Sequence, residues 1–141
     1  MSKTQWAQFL TYFGSVPFVG AVLARFLDVE LLGLNSDLVI YTYGAVIASF
    51  MAGIHWGVYL FKDFRTNLFI QSNIVALVAW SVPLAAINGG GLLLVVCFGY
   101  LLFIDRQLTS EGILETWYYH LRVKITGIVV FALLAHFLIV L

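Results

Sequence analysis

Five stretches of the chain lack the alternation of polar and apolar positions that a water-facing element shows. They are Trp6–Leu27, Leu38–Phe61, Leu68–Ile87, Gly90–Ile104 and Leu121–Leu141. A helix crossing a bilayer needs about 20 mainly apolar residues, and a helix apolar on all sides has no face for water. Each stretch is therefore predicted to be a transmembrane helix. The fourth is short, so it is expected to tilt, to extend through Asn88 and Gly89, or to sit in locally thinned bilayer. The connections are short as well, one of them a Gly-rich hairpin at Asn88-Gly89-Gly90-Gly91. Short connections make successive helices antiparallel neighbours and leave no room for a soluble domain. The expected architecture is all-α: a single transmembrane helical domain over residues 1–141, with five spans.

One longer connection, Asp105 to His120, carries its own period. Ile113, Leu114, Trp117, Tyr118 and Leu121 recur at helical spacing, with Glu111 and Glu115 on another face. This pattern predicts a short amphipathic helix at the membrane surface, running into the fifth span. Pro17 and Pro83 fall within the first and third spans and are expected to kink them.

Composition supports the same solvent. Of the 141 residues, 62% are apolar and 10% charged, against about 25% charged in a soluble domain. A fold so poor in charge has no material for a water-facing coat, so its exterior must meet lipid. The formal charge is zero, which gives nucleic acid no electrostatic footprint. Lys3 is a weak basic start and Val22-Leu23-Ala24 a poor cleavage site, so the first span reads as a retained helix rather than a signal peptide. Lys3, Lys62, Arg65, Arg106, Arg122 and Lys124 fall at one end of the five-span scheme and only Arg25 at the other. The bias in Lys and Arg then puts the N-terminus in the cytoplasm. Arg25, beside Asp28 and Glu30, is expected to snorkel outward.

Inside lipid, helices associate through close packing and polar contacts. The second span carries two stripes of small residues. Ser49, Gly53 and Gly57 form one, while Gly44 and Ala48 each lie within about 20° of His55 on a second face. This helix is expected at the centre of the bundle, with internal packing favoured over a homodimer contact for its glycines.

Polar side chains within a bilayer need partners and are candidate functional groups. His55 lies ~9 Å inside the boundary set by Phe61, at 1.5 Å per residue. His120 is placed at the surface and His136 nearer the opposite leaflet. The ~13 Å difference in depth between His55 and His136 argues against bis-histidine haem, and three ligands for zinc cannot be gathered at one depth. Cys97 is alone among apolar neighbours and makes no disulfide. No cofactor and no metal are expected.

A better constellation lies in one leaflet. His55, Trp56 and Tyr59 close the second span, and Gln71, Ser72 and Asn73 open the third. Asp105 ends the fourth, and Trp117, Tyr118, Arg122 and Thr126 lead into the fifth. The candidate ligand-binding residues are His55, Trp56, Tyr59, Asn73, Asp105, Trp117, Tyr118 and Arg122, with Asn73 or Thr126 expected to approach the His55 layer. The competing structural reading is an interfacial Trp and Tyr belt with charged anchors at helix ends.

At these residues a resemblance enters. Gly14-Ser15-Val16-Pro17-Phe18, the block Tyr43-Gly44-Ala45 through His55-Trp56-Gly57, Asp105-Arg106, and Trp117-Tyr118 followed by Leu121-Arg122 and Thr126 resemble the family catalogued as domain of unknown function 3429. The same blocks resemble animal transmembrane protein sixty-nine. The resemblance covers nearly the whole chain and implies a multi-pass protein of bacterial inner membranes with relatives in mitochondria; it implies no activity. His55 falls within its most specific block, while His120 and His136 fall in none.

Three functions compete. In the first, a pocket holds a lipid, another small amphiphile or a partner helix, with Arg122 at a negative head group and Trp56, Trp117 and Tyr118 against its apolar part. A homo-oligomer or a partner membrane protein, in an accessory or assembly role, belongs to this reading. In the second, the protein is an enzyme acting on a lipid-soluble substrate, with His55 as general base oriented by Asp105 or Asn73; no HExxH or GxSxG motif accompanies it. In the third, protons or small solutes permeate, although the middle of the bundle offers little polar lining beyond Ser49 and Ser81.

Overall fold

The structure, a computed structural model, describes residues 1–85 and 89–141. The described residues form six helices: α1 (Lys3–Phe13), α2 (Val16–Phe26), α3 (Ser36–Phe61), α4 (Leu68–Ala85), α5 (Gly90–Ser110) and α6 (Thr116–Val140). Taken together, α1 and α2 make one span, so five helices are long and apolar enough to cross a membrane. The expected end of the third span at Ile87 and the Asn88 corner of the hairpin lie outside the described residues.

The first span breaks where the sequence led us to expect a kink. α1 starts on a capping box, in which Ser2 Oγ accepts from the Gln5 amide and Gln5 Oε1 accepts from the Ser2 amide. It ends at Gly14, and Pro17 stands in the first turn of α2 rather than mid-helix. There its missing N–H costs nothing, because first-turn amides have no partner within the helix. The break leaves the Gly14 carbonyl outside the helix ladder, and the Tyr43 hydroxyl of α3 donates to it at 2.9 Å. A carbonyl without such a partner is expensive in hydrocarbon.

α3 holds the centre, packing against α2, α4 and α5. Of its two stripes, Gly44, Ala48 and His55 are buried, together with Ala45 and Ala52. The other stripe points elsewhere: a side chain added at Gly53 or Gly57 would meet nothing within 4 Å. Small residues set the close approaches. A Cβ at Gly44 would come within 2.8 Å of Leu94 Cδ1, and one at Gly90 within 2.7 Å of Val82 Cγ1. Large apolar side chains such as Phe50, Trp80, Val96 and Phe131 face outward, as a lipid-solvated bundle requires.

Two boundaries differ from the sequence reading. The fourth span is not short: α5 has 21 residues and runs through Asp105 to Ser110. Asp105-Arg106-Gln107 read as a polar helix end, but Asp105 turns inward to a partner and the helix continues. The separate amphipathic helix does not form. α5 closes on Gly112 at φ +74°, with the Ile113 amide donating to the Leu108 carbonyl at 2.9 Å. This is a Schellman-type ending, and Ile113 and Leu114 pack back onto the cluster around Leu108. Trp117, Tyr118 and Leu121 already belong to α6. The helical spacing is real on either side of a turn, but the turn divides it between two helices.

Successive spans run antiparallel, so Lys3, Lys62, Arg65 and Arg106 gather at one end and Arg25, Asp28 and Glu30 at the other, where the last three line a polar depression.

Candidate functional site

One end of the bundle encloses a charged cluster drawn from three helices. Asp105 of α5 projects between α3 and α6 with its carboxylate 2% exposed. His55 Nε2 lies 2.7 Å from Asp105 Oδ1, and Arg122 Nε donates to Asp105 Oδ2 at 2.8 Å. His55 and Arg122 are themselves buried. An ionised carboxylate only accepts, so His55 Nε2 is the donor between them. Each carboxylate oxygen thus takes one donor, and the guanidinium has its counter-charge within its own fold. A buried arginine without one would be strongly destabilising.

Asp105 does not use the whole guanidinium. Arg122 Nη2 is buried without a hydrogen-bond partner among the described residues, and so is Thr126 Oγ1 one turn along α6. Both residues line a cavity of about 390 Å³ walled by Gly14, Ser15 and Phe18 from the α1–α2 break, Tyr43, Ile47 and Met51 from α3, and Phe98 from α5. A volume of this size falls within the range of ligand sites, which pair apolar walls with a few placed polar groups. Of the other hydroxyls at the cavity, Tyr43 donates to Gly14 and Ser15 Oγ donates to the Tyr12 carbonyl, while Thr11 also borders it. Leu10 and Phe50 stand at the rim, 57% and 65% exposed. On a surface that faces hydrocarbon, such a rim opens toward lipid.

The chain belongs to the family described as Protein of unknown function (DUF3429). That family's model matches residues 3–138. No curated protein and no solved structure matches the chain. The blocks that resembled the DUF3429 family in the sequence meet in space here: Tyr43 bonds Gly14, Phe18 lies edge-on to Tyr43 with ring centroids 5.2 Å apart, and His55, Asp105 and Arg122 close the cluster.

The eight residues singled out from the sequence are thus divided by the fold. Three of them, His55, Asp105 and Arg122, touch one another. Trp56 and Tyr59 turn instead to Phe69 of α4, with centroids 4.6 and 4.7 Å away, and fix the start of α4 against the end of α3. Asn73 is exposed, and its amide donates to the Phe69 carbonyl at 2.8 Å, so it does not reach His55. The other side chain expected to approach the His55 layer, Thr126, lies one turn from Arg122 on α6, and its hydroxyl has no hydrogen-bond partner among the described residues. Trp117 donates to Glu115 at the start of α6 and lies edge-on to Tyr118, 5.9 Å away. Neither Trp117 nor Tyr118 lines the cavity.

The sequence reading did not anticipate the apolar walls, because nothing distinguishes Phe18, Ile47, Met51 or Phe98 from ordinary core residues until the fold assembles them. A second polar contact was also missed: His136 Nε2 lies 3.1 Å from Asp37 Oδ1 at the opposite end. The depth arithmetic used for His55 would have found it. Asp37 opens α3 and His136 is near the end of α6, so the two sit at matching depth.

Chemically, the His55–Asp105 pair has the arrangement in which a carboxylate orients an imidazole. However, neither His55 nor Asp105 forms any wall of the cavity. The polar residues of its wall that carry an unpartnered buried donor are Arg122 and Thr126, through a guanidinium N–H and a hydroxyl.

Proposed function

We propose that this multi-pass membrane protein binds a small amphiphile, in a binding or accessory role, with its polar head at Arg122 and Thr126 and its apolar body among Phe18, Ile47, Met51 and Phe98. The observation that carries the reading is that Arg122 and Thr126 both line a ligand-sized cavity and each carries a buried donor with no hydrogen-bond partner among the described residues. Burying such a group unpaired costs on the order of 1–3 kcal/mol, and a ligand acceptor removes that cost. In this reading Asp105 is the positioning residue that holds the guanidinium in place. The gathering of Lys3, Lys62, Arg65 and Arg106 at the end that holds the cluster supports, by the positive-inside rule, a site in the cytoplasmic leaflet, and the family resemblance supports a bacterial inner membrane. Entry is lateral, past Leu10 and Phe50.

Gentle purification followed by native mass spectrometry and extraction of bound molecules tests the proposal. Wild-type protein is expected to carry a stoichiometric small amphiphile. Ile47→Trp, which fills the cavity, is expected to emerge empty while retaining its helix content. A wild-type protein that repeatedly emerges empty, or identical cargo in both proteins, overturns the proposal.

A further inference from the structure

The charge balance around the cavity narrows the class of ligand. Arg122 is always cationic, and the Asp105 carboxylate sits directly on its Nε at 2.8 Å. The two charges sum to zero. His55 meets the other carboxylate oxygen through Nε2 at 2.7 Å and lines no part of the cavity, so the cation at the cavity wall is Arg122, whose charge Asp105 balances. Beyond Arg122, the residues lining the cavity are apolar or carry only hydroxyls, and the Tyr43 phenol is occupied by Gly14. An anion placed against Arg122 Nη2 would therefore set two negative groups on one cation and leave a net charge buried at low dielectric. Such a charge is costly unless paired. A neutral acceptor takes the same two donors without adding charge.

We infer that the head group held at Arg122 and Thr126 is an uncharged carbonyl acceptor, such as a quinone ring or a glyceride ester, and not a phosphate, sulfonate or carboxylate. This rests on the amphiphile reading above and sharpens it. Arg122 and Thr126 line the space and each carries an unpartnered donor, Nη2–H and the Thr126 hydroxyl, and among the described residues no second cation lines it. Phe18, Tyr43 and Phe98 supply an aromatic wall, with Phe18 edge-on to both neighbours at 5.2 and 6.1 Å. A flat ring or an ester shoulder can lie against that wall while its tail leaves toward Phe50.

Four probes in zwitterionic nanodiscs test the inference, with bound ligand counted by mass spectrometry at equilibrium. They are a decyl-substituted benzoquinone, dioctanoylglycerol, hexadecane sulfonate (anionic at every working pH) and octadecane. At least one carbonyl probe is expected to bind tenfold or more tighter than the sulfonate. Whichever of the two binds tighter identifies the source of the carbonyl. Thr126→Val keeps the side-chain shape and removes the hydroxyl, so it should weaken the carbonyl probe about fivefold, the worth of one neutral hydrogen bond. It should leave octadecane unchanged. Sulfonate binding tighter than both carbonyl probes, with Ile47→Trp abolishing it, overturns the neutral-head inference and leaves the amphiphile reading standing. Probes that bind wild type and Ile47→Trp equally overturn both.

Discussion

Both ends of the bundle bring a buried histidine to an aspartate, and the two contacts are built differently. At one end His55 and Asp105 are nearly inaccessible, with side-chain exposures of 4% and 3%, and Arg122 completes the cluster from a third helix. At the other end His136 is 1% exposed but its partner Asp37 is 36% exposed, and neither Nε2 nor Oδ1 makes a hydrogen bond despite their 3.1 Å approach. A dry cluster has no solvent to replace a lost partner, whereas a half-wet aspartate does. The first arrangement thus commits three helices to one another, and the second only brings two helix ends together.

The largest test of this difference removes the aspartates one at a time. Asp105→Leu leaves the Arg122 guanidinium buried without a counter-charge and should cost about 3–5 kcal/mol. Asp37→Leu, at a partly exposed contact, should cost no more than about 1 kcal/mol. Unfolding titrations in mixed micelles measure both. Equal losses would mean that exposure of the acid does not separate the two ends.

The histidines should differ in the same sense. His55→Phe deprives Asp105 Oδ1 of its donor, and a hydrogen bond to a charged group is worth roughly 1.5–3 kcal/mol. Since His55 lines no part of the cavity, ligand retention per folded molecule should hold. A variant that folds fully but emerges empty would assign the imidazole a direct role in binding.

How much of this was legible in the sequence depends on what each residue had to reveal. The five spans were legible because transfer into hydrocarbon depends on composition alone. The inward face of α3 was legible because Gly44, Ala48 and His55 share a helical phase. The extent of α5 was not, because a polar triplet at Asp105 looks the same whether it meets water or a buried arginine. The amphipathic segment failed for a related reason: Gly112 can continue a period or end a helix, and only its left-handed φ of +74° shows which. Depth placed Trp56, Tyr59 and Asn73 in the right layer but could not say which way they turn. Phe69 decides that, by taking both aromatic rings and the Asn73 amide.

Between the two polar ends the same helix offers a packing contrast. Gly44→Ala sets a methyl within 2.8 Å of Leu94 Cδ1, and overpacking of this kind costs typically 1–3 kcal/mol. Gly53→Ala meets open space on the opposite stripe and, by the higher helix propensity of alanine, should be neutral or stabilise by up to about 1 kcal/mol. If both substitutions shift the unfolding midpoint alike, the Gly44 contact is not a tight one. If Gly53→Ala alone is destabilising, a second molecule covers that stripe in the membrane.

The smallest expected effect is also the most discriminating. His136 is buried against Tyr41, ring centroids 6.0 Å apart, and its Nε2 has no hydrogen-bond partner among the described residues. His136→Phe removes a polar atom that is not paired and keeps an aromatic ring edge-on to Tyr41. Replacing an unsatisfied polar group by an apolar one of similar shape is close to neutral, so the midpoint should move by less than about 1 kcal/mol in either direction. The identical substitution at His55 is destabilising, because there the imidazole is the donor to a carboxylate that has nowhere else to turn. Two histidine-to-phenylalanine variants of one α-helical bundle, measured side by side, therefore separate a hydrogen-bonded buried histidine from one that is only near its acid. A loss at His136 matching that at His55 would show that the Asp37 contact closes into a true ion pair once the protein sits in a bilayer.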